Sequence, residues 1–186
     1  MKTDNSYFGE KVLLRLDALP DRDDVTVLDC YRGEGLLWAE VARRSDKKIT
    51  VVGIEKDRDK AGPLCLVGDN LKFLGSMDLA RYDIIDLDAY GVPFRQMNIL
   101  FRRGYRGIVI VTFVQIWKGG LHRSLLYDLG YSQDMVRKIP TMFCRDGLTK
   151  ITQYLAKHGV TRVRGYYEMP GKTINRPRSY FYYRME

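Results

Sequence analysis

The sequence is poor in the residues that mark secreted, membrane-spanning or zinc-binding proteins. It has only three cysteines in 186 residues, Cys30, Cys65 and Cys144, an odd number without paired spacing. This pattern excludes a zinc knuckle and favours reduced thiols in the cytoplasm. No apolar run approaches the roughly 20 residues of a membrane span, and none follows the first five residues as a secretory signal would. We therefore expect a cytoplasmic protein without a membrane partner and without a metal.

Domain boundaries are also not visible in the chain. The sequence has no low-complexity tract, no repeat of fixed period and no linker rich in Pro, Gly or Ser. A chain of 186 residues with 45% hydrophobic content fits one core well, whereas two independent cores would be cramped. We predict a single domain over residues 1–186.

The two halves of the chain differ strongly in charge. Residues 1–94 carry 14 Lys/Arg against 18 Asp/Glu, whereas residues 95–186 carry 17 against 5, and the whole chain has a net charge of +8. Such asymmetry indicates that the second half meets a polyanion. A basic surface without any partner would have the same composition.

Alternating short apolar runs and amphipathic stretches predict an α/β fold. Runs that are mostly rich in Val and Ile predict strands at Val25–Cys30, Ile49–Ile54, Leu64–Val67, Tyr82–Asp86 and Gly107–Phe113. Most are apolar on both faces, as in parallel strands covered by helices, and helical stripes occur at 37–42, 94–101 and 148–155. The tail contains two Tyr-rich runs, Val160–Glu168 and Ser179–Met185, typical of a hairpin. The pattern predicts a doubly wound, mostly parallel Rossmann-like sheet that ends in an antiparallel hairpin.

The residues that follow each strand are the candidates for a site, because ligands of such sheets bind beyond the carboxyl ends of the strands. The first predicted strand leads into Asp29-Cys30-Tyr31-Arg32-Gly33-Glu34-Gly35, where the two glycines permit a tight turn and close approach of a ligand. Trp38 stands where a dinucleotide fingerprint would have its third glycine, which argues against NAD. The loop also lacks the Gly-Lys-Ser/Thr of a phosphate loop. A plain structural turn remains an alternative.

Acidic and amide side chains follow the next two strands. Glu55 and Lys56 come after the second strand, and Asp69 and Asn70 come after the third. A carboxylate at the first position can accept hydrogen bonds from ribose hydroxyls, and the second pair could contact an adenine edge. Because no Lys/Arg cradle for phosphates accompanies them, a nucleoside with a cationic centre and no phosphate fits best, and S-adenosylmethionine is such a molecule. Taken singly, each acidic residue could merely cap a helix.

The fourth strand carries the most specific motif. Asp86 and Asp88 lie on one face by alternation, and a carboxylate in an apolar strand needs hydrogen-bond donors. The Asp88 carboxylate and the Ala89 carbonyl could hold the two hydrogens of an exocyclic base amine, while Tyr90 stacks on the base. An Asx-type turn with Tyr90 in the core is the alternative.

Together, these strand ends resemble the class I S-adenosylmethionine-dependent methyltransferases over about residues 25–115. Asp29 to Gly35 matches the cofactor loop of that family, Glu55 the acidic position that binds ribose, and Asp69 the position that reads adenine. The run Ile85–Gly91 is similar to the tRNA guanine-N2 dimethyltransferases, whose motif is Asp-Leu-Asp-Pro-Phe/Tyr-Gly, with Ala89 in place of the proline. The resemblance implies a cofactor site formed by Asp29, Tyr31, Gly33, Gly35, Glu55, Lys56, Asp69 and Asn70, and a catalytic role for Asp88, Ala89 and Tyr90.

The basic half supplies candidate substrate contacts. They combine cations with an aromatic ring, which suits phosphate contacts and base stacking, and they are Trp117, Lys118, Arg123, Lys172, Arg176 and Arg178. We accordingly divide the domain into an N-terminal extension (1–24), a cofactor-binding core (25–115) and a substrate-facing half (116–186). His122 and His158 are predicted to lie on the surface, and Cys144 lacks the Pro-Cys setting of a cytosine-C5 methyltransferase.

The sequence thus predicts an S-adenosylmethionine-dependent N-methyltransferase that acts on an exocyclic amine of a nucleic-acid base. RNA is favoured over DNA, with tRNA guanine as the example, so that tRNA modification is the expected process. Three alternatives remain: a nucleic-acid-binding protein that has this fold without turnover, a DNA amine methyltransferase, and a methyltransferase for a protein or small molecule.

Overall fold

The computed structural model describes residues 7–114, 123–138, 142–169 and 178–185. In chain order the elements are α1 (Phe8–Asp17), β1 (Asp24–Asp29), α2 (Leu36–Arg44), β2 (Lys48–Glu55), β3 (Cys65–Val67), α3 (Asn70–Ser76), β4 (Ile84–Leu87), α4 (Phe94–Arg102), β5 (Ile108–Val114), α5 (Arg123–Asp128), α6 (Gln133–Lys138), α7 (Met142–Lys157), β6 (Val163–Met169) and β7 (Arg178–Arg184). Short 3-10 turns occur at Arg58–Lys60 and Leu79–Arg81.

The described strands form one sheet with the order β3-β2-β1-β4-β5-β7-β6. The first five strands are parallel, and β7 lies antiparallel between β5 and β6. In this register Asp29 at the end of β1 lies between Gly53 of β2 and Asp86 of β4. The predicted doubly wound α/β sheet with a C-terminal antiparallel hairpin is therefore confirmed, and the carboxyl ends of β1, β2 and β4 meet at one edge.

Side-chain alternation divides the core into two layers, one on each face of the sheet. On one face, Val25 and Val27 of β1 pack with Val12 of α1 and Trp38 of α2. On the other face, buried residues from the sheet pack with α3, α4 and α7; these include Leu28, Val109, Leu74, Met97 and Ile151. Both faces of the sheet are thus covered by helices, which explains why the strands read as continuous apolar runs.

Helix α1 is the main element that the sequence pattern did not reveal. It falls within residues 1–24, which the sequence analysis treated as an extension, and it packs against α2, β6 and β7. Its buried residues are Lys11, Val12, Leu14 and Arg15, which lie on one helix face. Because two of these four side chains are cations, the sequence of α1 lacks the apolar periodicity that predicts a buried helix face. The short helices α3, α5 and α6 were also not predicted, whereas the predicted strand bounds differ from the observed ones by at most three residues.

Two further findings concern the described residues only. No helix among them is both long and apolar enough to cross a membrane. Within the same residues, no three His, Cys, Asp or Glu side chains are grouped so that they could hold a metal ion.

Candidate functional site

The loop after β1 is a tight turn that depends on two glycines. Gly33 and Gly35 have φ angles of 53° and 75°, in the left-handed region that glycine adopts without strain. The buried Asp29 carboxylate accepts a hydrogen bond from the Tyr31 amide at 3.1 Å. Burial raises the pKa of the half-buried Tyr31 to about 12, so its phenol is neutral at pH 7. The loop therefore exposes backbone to a ligand while its first carboxylate is turned into the protein.

Arg32 connects this loop to β2 rather than pointing away from it. Its guanidinium donates to the carbonyl of Lys60 at 3.0 Å, and its aliphatic part lies directly over Gly53. A β-carbon at Gly53 would overlap the Cδ atom of Arg32. A side chain at this position of β2 would therefore displace Arg32, a relation that sequence reasoning did not identify.

Glu55 joins the loop after β1 to the loop after β2. Its Oε2 accepts a hydrogen bond from the Gly33 amide at 2.9 Å, and its Oε1 accepts from the amides of Lys56 at 2.8 Å and Asp57 at 3.0 Å. The Glu55 side chain is half-buried, whereas Lys56 is exposed. The structure thus brings together three of the predicted cofactor residues, although Lys56 contributes a main-chain amide to the contact.

Asp69 and Asn70 have different surroundings at the start of α3. Asp69 is half-buried and caps the helix, since its Oδ1 accepts from the Leu71 amide at 2.9 Å. Asn70 is buried; its amide nitrogen donates to the Cys30 carbonyl at 2.9 Å, and its oxygen accepts from Gln96 at 2.9 Å. Both polar atoms of Asn70 are therefore used inside the protein, and the predicted contact with adenine would have to use the second hydrogen or second lone pair of this buried amide.

Asp86 is fully buried and is paired with α1 and α2. The Arg15 guanidinium binds it through two hydrogen bonds, Nε to Oδ2 at 2.8 Å and Nη2 to Oδ1 at 3.0 Å. The Trp38 indole donates to Oδ2 at 2.7 Å. The donors that a buried carboxylate in β4 was expected to need thus come from α1 and α2.

Asp88 lies on the same face of the chain as Asp86, as the alternation predicted. Its Oδ2 accepts from the Lys11 ammonium at 2.9 Å and lies 3.7 Å from the Arg15 guanidinium, while its Oδ1 accepts from the Thr112 hydroxyl. Only 12% of the Asp88 side chain is exposed. Sequence reasoning missed Lys11 and Arg15; the signal was the pair of aspartates in an apolar strand, which requires buried cations nearby.

Three carboxylates and two cations therefore meet where β1 and β4 end. Burial, together with the charge of Asp86, raises the pKa of Asp29 to about 8, against the effect of Arg15. Burial also raises the pKa of Asp86. Burial opposes ionisation of Asp88 as well, but Arg15, Lys11 and Thr112 outweigh it and lower the pKa of that carboxyl. At neutral pH, Asp88 is thus ionised, whereas Asp29 is largely protonated.

The turn after β4 leaves Tyr90 in solvent. The Ala89 amide donates to the Leu87 carbonyl at 2.8 Å, and the Ala89 carbonyl accepts from the Gly91 amide at 3.1 Å. Ala89 is buried, but Tyr90 is 63% exposed. The alternative that placed Tyr90 in the core is therefore wrong, and the ring is accessible for stacking.

Most of the predicted substrate contacts cannot be placed. Trp117, Lys118, Lys172 and Arg176 lie outside the described residues, as does His122. Arg123 begins α5, and Arg178 begins β7 opposite Val114 at the carboxyl end of β5. For Arg178 this backbone position is the predicted edge of the sheet. His158 is exposed, as predicted.

Solved structures with the same architecture were found, although no family model and no curated protein matches the sequence. A precorrin-6y C5,15-methyltransferase of Geobacter metallireducens aligns over 94% of this chain and 87% of its own, with a TM-score of 0.53 and 14% identity. Haemonchus contortus phosphoethanolamine N-methyltransferase 2, in complex with phosphomonomethylethanolamine and S-adenosylhomocysteine, aligns over 95% and 52%, with a TM-score of 0.57 and 12% identity. A Listeria monocytogenes protein described as a class I S-adenosylmethionine-dependent methyltransferase aligns over 99% and 61%, with a TM-score of 0.58 and 14% identity.

The fold is that of the class I S-adenosylmethionine-dependent methyltransferases. This chain spans about half the length of the Haemonchus enzyme and about three fifths of the Listeria protein. Within the methyltransferase fold, the loop after β1, Glu55 after β2 and Asp69 after β3 all lie at the carboxyl edge of the parallel strands, where ligands of doubly wound sheets bind.

Proposed function

We propose that the protein is an S-adenosylmethionine-dependent N-methyltransferase that acts on an exocyclic amine of a nucleic-acid base, with RNA favoured over DNA and a tRNA guanine as the example. The observation that carries this proposal is the meeting of the glycine loop, Glu55, Asp69 and Asp88 at one edge of a sheet with the methyltransferase fold. The residues of this chain, rather than the solved structures at 12–14% identity, support the choice of acceptor.

The residues after β1, β2 and β3 fit the cofactor by their chemistry. Glu55 and Asp69 offer carboxylate oxygens, and the second oxygen of Asp69 is not used by the helix cap. Gly33 and Gly35 allow the cofactor to approach the backbone, and Tyr31 lies between them and the buried Asp29. When bound, S-adenosylmethionine supplies an electrophilic methyl group on a sulfonium. The carboxylates of Glu55 and Asp69 make this part of the site favourable for a positively charged ligand.

Asp88, Ala89 and Tyr90 are the proposed residues for the acceptor amine. Lys11 and Arg15 keep the Asp88 carboxylate ionised, so it can accept a hydrogen bond from the amine. The Ala89 carbonyl has a second lone pair for the other hydrogen, and the exposed Tyr90 ring can stack on the base. These contacts orient the nitrogen lone pair, and the catalytic gain comes from orientation and charge placement.

A second candidate function is methyl transfer to a small molecule. Helix α1 and Thr112 cover most of the Asp88 carboxylate, which leaves 12% of the side chain exposed. Such coverage favours a small acceptor over a base within a polymer. The charge of residues 95–186, with 17 Lys/Arg against 5 Asp/Glu, favours the nucleic acid.

Cofactor binding is tested by titration calorimetry with S-adenosylhomocysteine. Glu55→Ala should weaken binding about 10- to 100-fold, because charge-assisted hydrogen bonds contribute about 1.5–3 kcal/mol each. Asp59→Ala, which removes an exposed carboxylate from the neighbouring turn, is the matched control and should bind like the unchanged protein. Equal affinity of both variants would remove Glu55 from the proposed site.

Acceptor class is tested by tritiated methyl transfer to total tRNA and to unmethylated DNA. Asp88→Ala should abolish transfer while S-adenosylhomocysteine affinity stays nearly unchanged, and Asp78→Ala on the exposed surface should be fully active. Binding of RNA without any cofactor affinity would instead support a nucleic-acid-binding protein without turnover. Transfer to small amines alone would support the second candidate.

A further inference from the structure

A second group of cations lies at the opposite edge of the sheet, where the parallel strands begin. Two helices end there, two strands begin there, and β7 ends there. We define the basic edge as the six exposed residues Arg102, Arg103, Arg106, Lys157, Arg162 and Arg184. They are six of the 17 Lys/Arg in residues 95–186. The sequence analysis placed the basic contacts of this half only at the carboxyl edge.

Strand register brings these residues together although they are far apart in sequence. Ile108 at the start of β5 pairs with Arg184, and the Met185 amide donates to the Gly107 carbonyl at 2.8 Å. Val163 at the start of β6 pairs with Tyr183, one residue from Arg184. The ends of α4 and α7 also meet, because the rings of Phe101 and His158 stack with centroids 4.0 Å apart. The segments that carry the basic edge are therefore neighbours in the fold.

The charge of this surface is not neutralised by its own segments. Residues 99–107 and 157–165 contain no Asp or Glu, and the segment with Arg184 is followed by one acidic residue, Glu186. Within the described ranges, no carboxylate forms an ion pair with any of the six cations. The Arg103 guanidinium donates hydrogen bonds to the carbonyls of Gly75 and Met77 and not to a carboxylate. Asp128 is a nearby carboxylate, and its charge acts on His158. Exposed cations on the ends of these elements and on the segments that join them match an extended polyanion.

An aromatic platform accompanies the cations. His158 is exposed and lies parallel to the Phe101 ring, with an interplanar angle of 1°. Burial and the charge of Lys157 lower the pKa of His158, against the effect of Asp128, so the ring is neutral at pH 7. A neutral ring beside cations is suited to base stacking next to phosphate contacts.

We propose that the basic edge binds the phosphate backbone of the RNA acceptor, away from the site at which methyl transfer takes place. This inference rests on the proposed function and extends it. The seven residues of β5 separate the two edges by about 20 Å. An RNA longer than this distance can contact both edges of the sheet at the same time.

Lipid headgroups carry the same phosphate chemistry but fit this surface less well. Interfacial membrane binding combines cations with exposed apolar side chains. In the part of the chain that the structure describes, the exposed large hydrophobic residues are Leu13, Leu36, Leu64, Val67, Tyr90 and Tyr127, none of which belongs to the basic edge. The surface therefore favours a polyanion in solution.

Fluorescence anisotropy with a labelled stem-loop RNA, measured over a salt series, tests the inference. The triple variant Arg102→Gln/Arg106→Gln/Arg184→Gln should lower the slope of log affinity against log salt by about 2 to 3, and weaken binding about 100-fold near 0.1 M salt. The matched control Arg44→Gln/Lys48→Gln/Lys72→Gln removes three exposed cations and should leave the slope unchanged. Arg44 of α2 and Lys48 of β2 lie on the other side of β1 and β4 from the basic edge, and Lys72 belongs to α3, which carries none of the six cations. S-adenosylhomocysteine affinity of both variants should equal that of the unchanged protein, which shows that they are folded.

The outcomes separate this inference from the proposed function. Equal slopes for the two triple variants would overturn the role of the basic edge, even if RNA is methylated. A slope that falls only in the basic-edge variant would support it, even if no methyl group reaches RNA. Vesicles in which about 30% of the lipid is phosphatidylserine provide the membrane test. If the protein binds these vesicles but not RNA, and the basic-edge variant loses vesicle binding, the proposed RNA contact is overturned.

Discussion

At the scale of single residues, the protonation of Asp29 has a consequence for stability. Burial raises the pKa of Asp29 from 3.8 to about 8, so the folded protein binds one proton more than the unfolded chain between these values. The free energy of unfolding therefore falls as pH rises through this window, by at most about 1.4 kcal/mol per pH unit. Asp29→Asn should remove this dependence, because a neutral amide resembles the protonated acid. Urea unfolding between pH 5 and pH 8 measures the difference.

The matched control is Asp24→Asn at the other end of β1, where the carboxylate is exposed beside Lys48. This variant should keep the pH dependence of the unchanged protein. Some slope will remain in Asp29→Asn, since the pKa of Asp86 is also raised by burial. Parallel curves for Asp29→Asn and the unchanged protein would show that Asp29 is ionised in the folded state.

The sequence predicts a site residue when its place at a strand end is visible locally, and fails when the residue depends on a distant partner. Glu55 and Asp88 were predicted because a polar residue at the end of an apolar strand is visible in the sequence alone. The inward orientation of the Asn70 side chain was not predicted, because it depends on a hydrogen bond from Gln96, 26 residues away. The packing of Arg32 on Gly53 likewise joins two loops that become neighbours only in the sheet. Strand ends can thus be read locally, whereas side-chain partners cannot.

At the scale of elements, α1 is attached to the sheet by a buried charge cluster. Arg15 binds Asp86 through two nitrogens, lies 3.7 Å from Asp88 and donates to the Lys11 carbonyl at 2.8 Å. Arg15→Met should reduce the free energy of unfolding by about 3–5 kcal/mol, because it leaves a buried carboxylate without its cation. Chemical denaturation at pH 7 measures this loss.

A second substitution separates the loss of charge pairing from a simple loss of packing. In Arg15→Met/Asp86→Asn the unpaired charge is removed, and the new amide oxygen can still accept from Trp38, which donates to Asp86 at 2.7 Å. We expect the double variant to recover more than half of the stability lost in Arg15→Met. If the two losses simply add, the cluster contributes through packing rather than through charge.

The same cluster explains why α1 was not predicted while the sheet was. Strand prediction relies on apolar runs, and the central strands β1, β4 and β5 are almost entirely buried. Helix α1 instead places Lys11 and Arg15 toward the sheet, because their partners are Asp86 in β4 and Asp88 directly after it. A helix whose inner face is partly charged has no apolar signature. It becomes recognisable only when the aspartates of another element are known to face it.

At the scale of the whole molecule, the sheet separates the two edges that we propose as binding sites, and hydrogen exchange can observe each of them. Amides of the loops after β1 and β2 lie at the carboxyl edge, where the Gly33 and Lys56 amides already bind Glu55. Amides around Gly104 and Gly159 lie beside the basic edge. Because the two edges are about 20 Å apart, a ligand confined to one of them cannot contact the other.

S-adenosylhomocysteine should therefore slow exchange in residues 30–36 and 55–58 and leave residues 103–107 and 158–162 unchanged. A stem-loop RNA should slow exchange at 103–107 and 158–162, and it should also protect the turn after Asp88 if its base reaches the site. Since β5 lies buried between the two edges, its own amides should exchange slowly in every state and serve as the internal reference. Protection by RNA confined to the carboxyl edge would mean that the cations at the amino ends of the strands do not contact the substrate. Protection of both edges by the cofactor alone would mean that the sheet transmits a conformational change, since direct contact is excluded by the distance.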